Sequence, residues 1–224
     1  MQGTFITATG TGVGKTWLAC ALATACVQRG KRVAAMKPIE TGCDPEPRDA
    51  IALAQACGND SLANASGFYR AEDPLAPYAI ERRGGPRVGS LRALAKRIRE
   101  LGKEADYSIV EGIGGVLVPL DREHTIADLA ALLDLQTVLV ARNDLGVLSY
   151  TLTAMEALRR RKISVRAIVL NHFERSSRHD LSRLSNREVL ADCFPRIPVL
   201  RVPRVKSESD LVDAAVELLN TLKI

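Results

Sequence analysis

Thr9-Gly10-Thr11-Gly12-Val13-Gly14-Lys15-Thr16 follows the apolar run Thr4 to Ala8 and leads into an alanine-rich stretch with helical patterning. Such a loop grips phosphate. Glycines let successive backbone N–H groups turn toward phosphate oxygens, Lys15 adds a point charge, and the Thr16 hydroxyl can ligate magnesium. A helix beginning at this point contributes the positive end of its dipole. The common pattern G-x-x-x-x-G-K-[ST] places glycine where this chain has Thr9, so the match is near but incomplete. An ordinary tight turn is the competing reading; the order strand, glycine loop, helix favours the phosphate site.

Two further segments carry chemistry. Lys37-Pro38-Ile39-Glu40-Thr41-Gly42 follows a second apolar run. A lysine at such a strand end, facing a phosphate site, can neutralise charge on a transferring phosphoryl group; a surface lysine capping a strand is the alternative. Glu111 closes the run Tyr107 to Glu111 and precedes Gly112-Ile113-Gly114-Gly115, backbone slim enough to approach a ligand closely. A magnesium ligand is the preferred role for this carboxylate. Magnesium prefers hard oxygens and keeps several waters, so Thr16, Glu111 and Asp49 would suffice beside phosphate oxygens. Asp49, in Arg48-Asp49-Ala50, is also a residue type that stabilises a first helical turn in its own right.

The elements that must position these groups are short apolar runs at Thr4–Ala8, Arg32–Lys37, Tyr107–Glu111, Thr137–Ala141, Val165–Asn171 and Ile197–Val202. Helical patterning falls at Lys15–Gln28, Arg48–Ala56, Ser90–Glu104, Leu145–Arg160 and Ser207–Leu222. The alternation predicts an α/β fold with a mostly parallel central sheet and crossover helices. Continuous hydrophobicity, as in Ser108-Ile109-Val110, fits strands covered on both faces. Between Cys57 and Gly89 the signal is poor, and loop with a short helix is expected. Ligands collect where such strands end. Those ends carry the glycine loop, Lys37-Pro38, Glu111-Gly112, Arg142-Asn143 and Asn171.

A length of 224 residues with 46% hydrophobic content suits one domain over 1–224. No run reaches the roughly 18 apolar residues of a membrane helix, and the start lacks an export pattern, so a cytoplasmic protein without a membrane partner is expected. Five cysteines form no C-x-x-C pair, and with three histidines they give no zinc spacing. The net charge of +5 could serve nucleic acid, but aromatics are only 4% and the basic stretches read better as solvated faces, so no nucleic-acid partner is expected.

The chain resembles the dethiobiotin synthetase family. The resemblance rests on the G-K-T loop, K-P-I-E-T-G from Lys37, the Asp49 helix, V-E-G-I-G-G-V-L-V-P-L from Val110 to Leu120, the helix start at Leu145-Gly146, and Asn171. It implies a P-loop NTPase-like three-layer sandwich, with ATP as co-substrate and Mg2+ as cofactor. It also implies a homodimer that joins CO2 to 7,8-diaminopelargonic acid and closes a cyclic urea. Lys15, Lys37 and Thr11 would be the catalytic groups, the two lysines also binding substrate by holding the carbamate oxygens and the phosphoryl charge together. Thr11 and Thr41 would bond the carbamate or diamine end. The nucleotide would lie on Gly12, Val13, Gly14, Lys15, Thr16, Trp17, Glu111, Gly112 and Gly114, with Asn171 and Pro203 at the base. Thr16, Asp49 and Glu111 would hold the metal. The substrate's carboxylate tail would be received near the dimer seam by the helix N-terminus carrying Leu145, Gly146 and Ser149.

The chain departs from the family pattern at several places. Ala8 replaces a glycine, Gly10 an aspartate, and Gly12 stands where members often carry an acid. Ser149 and Tyr150 occupy positions where asparagine and histidine are frequent, and Leu200-Arg201-Val202-Pro203 lacks the glycine of the usual G-x-I-P. A partition- or septum-positioning-type ATPase switch is the alternative. Gly10, however, stands where such switches carry their signature lysine. A glutaminase-bearing synthetase would need a longer chain, and a nucleic-acid sensor would show steep salt dependence.

Overall fold

Strand β1 (Gly3–Ala8) is buried along its whole length and runs into helix α1 (Lys15–Gln28) through the glycine loop. Next come β2 (Val33–Met36), β3 (Ile39–Thr41), α2 (Arg48–Ala56), a 3-10 turn at Asp60–Leu62, β4 (Tyr69–Ala71) and α3 (Pro77–Arg82). The chain continues through α4 (Leu91–Leu101), β5 (Tyr107–Glu111), α5 (Ile126–Leu133), β6 (Gln136–Arg142) and α6 (Val147–Arg160). It ends with β7 (Val165–Asn171), α7 (Ser182–Cys193), β8 (Val199–Val202) and α8 (Glu208–Leu222). The computed structural model describes residues 1–172, 181–202 and 208–224, the side chains of 208–214 excepted.

Six strands form one sheet in the order β2-β5-β1-β6-β7-β8, and every described pairing is parallel. Its central strands alternate between two cores. Val138, Val140, Ala167 and Val169 pack in the core that holds α1 and α8, while Leu139, Ala141, Ile168 and Leu170 pack with α6 and α7. Helices on both faces therefore enclose the sheet, which is why its strands read as unbroken apolar runs. Among the described residues, no helix is long and apolar enough to cross a membrane.

Strand order reverses at β1, which lies between β5 and β6. At such a switch point the loops leaving neighbouring strands diverge and leave a crevice. Register then aligns the chemistry. Met36 pairs with Val110, so the next residues, Lys37 and Glu111, emerge side by side.

Element boundaries differ from the sequence expectations for local reasons. Helix α4 stops at Leu101 rather than Glu104 because Gly102 caps it, and α6 begins at Val147 rather than Leu145, after Gly146 in a left-handed conformation. Strand β8 begins at Val199, past Pro198, which has no N–H for a ladder. Strand β2 is shorter by a residue at each end. Four elements were not anticipated: α5, α7, and the parallel pair β3-β4, in which Glu40 sits opposite Arg70.

Candidate active site

The glycine loop turns through Gly14, whose φ of 94° lies in the left-handed region, where a side chain would be strained. Helix α1 opens there with no side-chain cap and no acidic residue in its first turn. Its leading N–H groups and dipole thus face the crevice as an anion site. Above the loop, Gly115 passes so near that a Cβ on it would lie 3.2 Å from the Thr9 carbonyl oxygen. That close passage accounts for a glycine in the stretch after Glu111. Backbone bonds fasten the same region, with Gly112 N donating to Ile6 O at 2.9 Å and Val116 N to Ala8 O at 2.9 Å.

A cleft of about 520 Å³ opens at this switch point. It is lined by Thr11, Gly12, Gly14, Lys15, Thr16 and Trp17 from the loop and α1, by Lys37, Glu40, Thr41 and Asp49, and by Glu111, Ile113, Gly114 and Val118. Pro74, Leu75 and Ala76 form a further wall. Sequence reasoning missed that wall, as it missed Glu40, Ile113 and Val118.

At the centre lies a buried cluster of charges. Lys37, 3% exposed, donates to Glu111 Oε1 and to Gly112 O at 3.3 Å, and its Nζ lies 3.0 Å from Asp49 Oδ2. The Thr16 hydroxyl donates to Glu111 Oε1 at 2.9 Å. Burial is the strongest influence on Lys37 and opposes its charge, but Glu111 and Asp49 together outweigh it, so the ammonium is held above the ordinary lysine range. Burial likewise pushes the Glu111 carboxyl up, with Lys37 pulling against it. Lys15 behaves differently. Its Nζ donates to Gly10 O at 3.2 Å, and burial, then the nearby positive charge of Lys37, lower its pKa to about 8.

Two ammonium groups, Lys15 at the start of α1 and Lys37 just past the end of β2, thus line one crevice, Lys37 already paired with Glu111 and Asp49 and Lys15 bonded to the Gly10 carbonyl. Glu111 Oε2 is buried and has no hydrogen-bond partner among the described residues. An orphaned carboxylate oxygen beside a threonine hydroxyl and a second carboxylate is a hard-oxygen donor set, which suits magnesium. Among the described residues no group of three or more His, Cys, Asp or Glu side chains could hold a metal, so a site here would need oxygens from a bound phosphate as well.

Other predicted residues lie away from the cleft lining. Val13 and Asn171 meet behind the loop, where Asn171 Nδ2 donates to Val13 O at 3.0 Å and ties the loop to the end of β7. One amide hydrogen of Asn171 is thereby already engaged. Gly112 contributes its carbonyl to Lys37 without lining the cavity. Leu145, Gly146 and Ser149 stand at the start of α6, where Leu145 is 81% exposed and Tyr150 61%. Pro203 falls outside the described residues.

Comparisons with known proteins bear on the family and the fold. A family model described as an AAA domain matches residues 2–204. The chain is 39% identical over 207 residues to the ATP-dependent dethiobiotin synthetase BioD of an Anaeromyxobacter species, covering 92% of both proteins. It is 35% identical to that of Thermodesulfovibrio yellowstonii, covering 88% of this chain and 89% of the relative. Among solved structures, the cell division ATPase MinD of Pyrococcus furiosus superposes with a TM-score of 0.62 at 19% identity, covering 98% of this chain and 99% of that one. The MinC:MinD complex of Aquifex aeolicus gives 0.60 at 16% identity, covering 98% and 96%. Those two likenesses concern the fold alone. With the sequence relatives covering nearly the whole chain and the lysine-carboxylate cluster lying at the switch point, the chain belongs to the ATP-dependent dethiobiotin synthetase family of ligases.

Proposed function

We propose that the chain condenses 7,8-diaminopelargonic acid with CO2 to form dethiobiotin, converting ATP to ADP and phosphate, as a cytoplasmic homodimer. The observation that carries this reading is the convergence of Lys15 and Lys37 on one cleft beside Glu111 and Asp49. A reaction that brings a carbamate anion to a phosphoryl group must overcome repulsion between two negative species, and two ammonium groups at one crevice do so.

One substrate amine adds to CO2 and loses a proton, giving the carbamate. A carbamate oxygen attacks the γ-phosphorus, ADP leaves, and a carbamic-phosphoric anhydride forms. The second amine then attacks the anhydride carbon and loses its proton as phosphate departs. Lys37 would hold the carbamate and the transferring phosphoryl group, Lys15 the phosphates, and Thr11 and Thr41 the diamine end. Magnesium, when bound by Thr16, Asp49 and Glu111, supplies charge neutralisation on the phosphates. Asn171 would present its carbonyl and remaining N–H to the adenine, and Pro203 would flank it. The α6 N-terminus of the partner subunit would receive the substrate carboxylate through backbone N–H groups at Gly146 and Ser149. Exposed Leu145 and Tyr150 beside it support a subunit seam at that place.

The test is coupling. With ATP, Mg2+, bicarbonate and the diamine, the purified chain releases phosphate in step with dethiobiotin. Phosphate release indifferent to the diamine would instead favour a switch-type ATPase, a reading that the glycine at position 10 disfavours.

A further inference from the structure

Helix α2 begins without the usual means of satisfying its first N–H groups, because its N-cap is Pro47, whose side chain offers no acceptor. The cap arrives from another element. Glu40 of β3 accepts from Asp49 N at 2.8 Å with Oε1 and from Ala50 N at 2.9 Å with Oε2. These are the second and third residues of the helix, the donors that a local capping side chain normally takes. Glu40 is buried, lines the cleft, and is seated by the β3-β4 pairing opposite Arg70. Asp49, in turn, places its carboxylate 3.0 Å from Lys37 Nζ.

We infer that Glu40 is a positioning residue, which staples the first turn of α2 to the strand after Lys37 and so sets where the Asp49 carboxylate stands relative to Lys37 and Glu111. Both carboxylate oxygens of Glu40 are committed to backbone, so its effect on the reaction passes through Asp49. Without the staple the first turn of α2 has no side-chain acceptor and Asp49 loses its fixed place. A displacement of about 1 Å at such a group can cost on the order of 100-fold in rate. The inference rests on the proposed metal-assisted ligase reading.

The experiment compares Glu40→Ala, Glu40→Gln, Asp49→Asn and the double variants in the full chain. Mn2+ affinity in the presence of ATP is read from the free-ion electron paramagnetic resonance signal, and diamine-dependent turnover is measured alongside. Glu40→Ala should weaken Mn2+ binding about tenfold and slow turnover by about 10- to 100-fold, with Glu40→Gln, which keeps one carbonyl acceptor, between it and the parent. Adding Glu40→Ala to Asp49→Asn should cause no further loss, because both act through one carboxylate. Unchanged Mn2+ affinity in Glu40→Ala, or losses that multiply in the double variant, would overturn the inference. Should Glu40→Ala not fold, Glu40→Gln with and without Asp49→Asn gives the same comparison. A parent chain that binds Mn2+ with ATP but shows no diamine-dependent turnover would sink the ligase reading instead, leaving the metal comparison to judge Glu40.

Discussion

Under the proposed reaction, Lys37 would have two tasks that pull in different directions. Its ammonium is engaged by Glu111 and Asp49, whereas the proposed phosphoryl transfer would need it turned toward substrate oxygens. Lys37→Ala should therefore lower turnover by more than tenfold with little change in ATP affinity, measured by steady-state kinetics beside equilibrium binding; near-normal turnover would remove Lys37 from the chemistry. Lys15 gives a pH signature. Its pKa of about 8 lies below the ordinary lysine value, and anionic phosphates favour the protonated form, so nucleotide binding should draw in a proton. Nucleotide affinity should be full below pH 8 and fall as pH rises through it, by no more than about tenfold per unit. Calorimetry near pH 8 in buffers of different ionisation enthalpy should register proton uptake, and none would place Lys15 away from the phosphates. Lys15, Lys37 and Glu111 could be found from sequence because each lies in a motif or at a strand end, and Asp49 because it opens a predicted helix. Glu40 stands in the same segment as Lys37, but its part could not be read there, since its partners are backbone N–H groups on a helix whose own cap is a proline.

Elements close to the sheet were the most legible. The spans of α1, α2, β5 and β7 match the apolar patterning, because the parallel sheet and its crossovers impose long, regular runs. Helix α5 escaped notice because Ile126-Ala127-Asp128-Leu129-Ala130-Ala131-Leu132-Leu133 is a short, nearly continuous apolar run, which periodicity alone does not separate from a buried strand, although Thr125 and Asp128 form a capping box at its start. The cleft wall Pro74-Leu75-Ala76 lies in the stretch where prolines and glycines gave no periodicity, and tertiary packing alone brings it to the site. Close passage of the Gly112–Gly115 backbone over the phosphate loop makes its own prediction. Gly115→Ala should force the loop at Thr9 to yield by a few tenths of an ångström, costing roughly 1–3 kcal/mol in stability and weakening nucleotide binding. Denaturant melts and binding isotherms check both, and a neutral result would mean the loop adapts freely.

Across the whole molecule, residues at the ends of β1, β2 and β5 meet because strand order reverses at β1; the alternation of runs foretold a parallel sheet with its chemistry at the strand ends, but not the strand order that brings these ends together. The proposed homodimer comes from the family resemblance, and its proposed seam is the start of α6, where Leu145, Tyr150 and Leu152 are exposed. Leu145→Glu should shift sedimentation from dimer toward monomer and lower affinity for the diamine more than for ATP; an unaltered dimer would move the seam elsewhere. One more property belongs to the molecule as a whole. It contains a single tryptophan, and Trp17 stands on the rim of the cleft directly behind the phosphate loop. Every photon of indole emission thus originates within reach of the arriving nucleotide, so filling and emptying of the crevice can be followed in a stopped-flow fluorimeter with no dye attached.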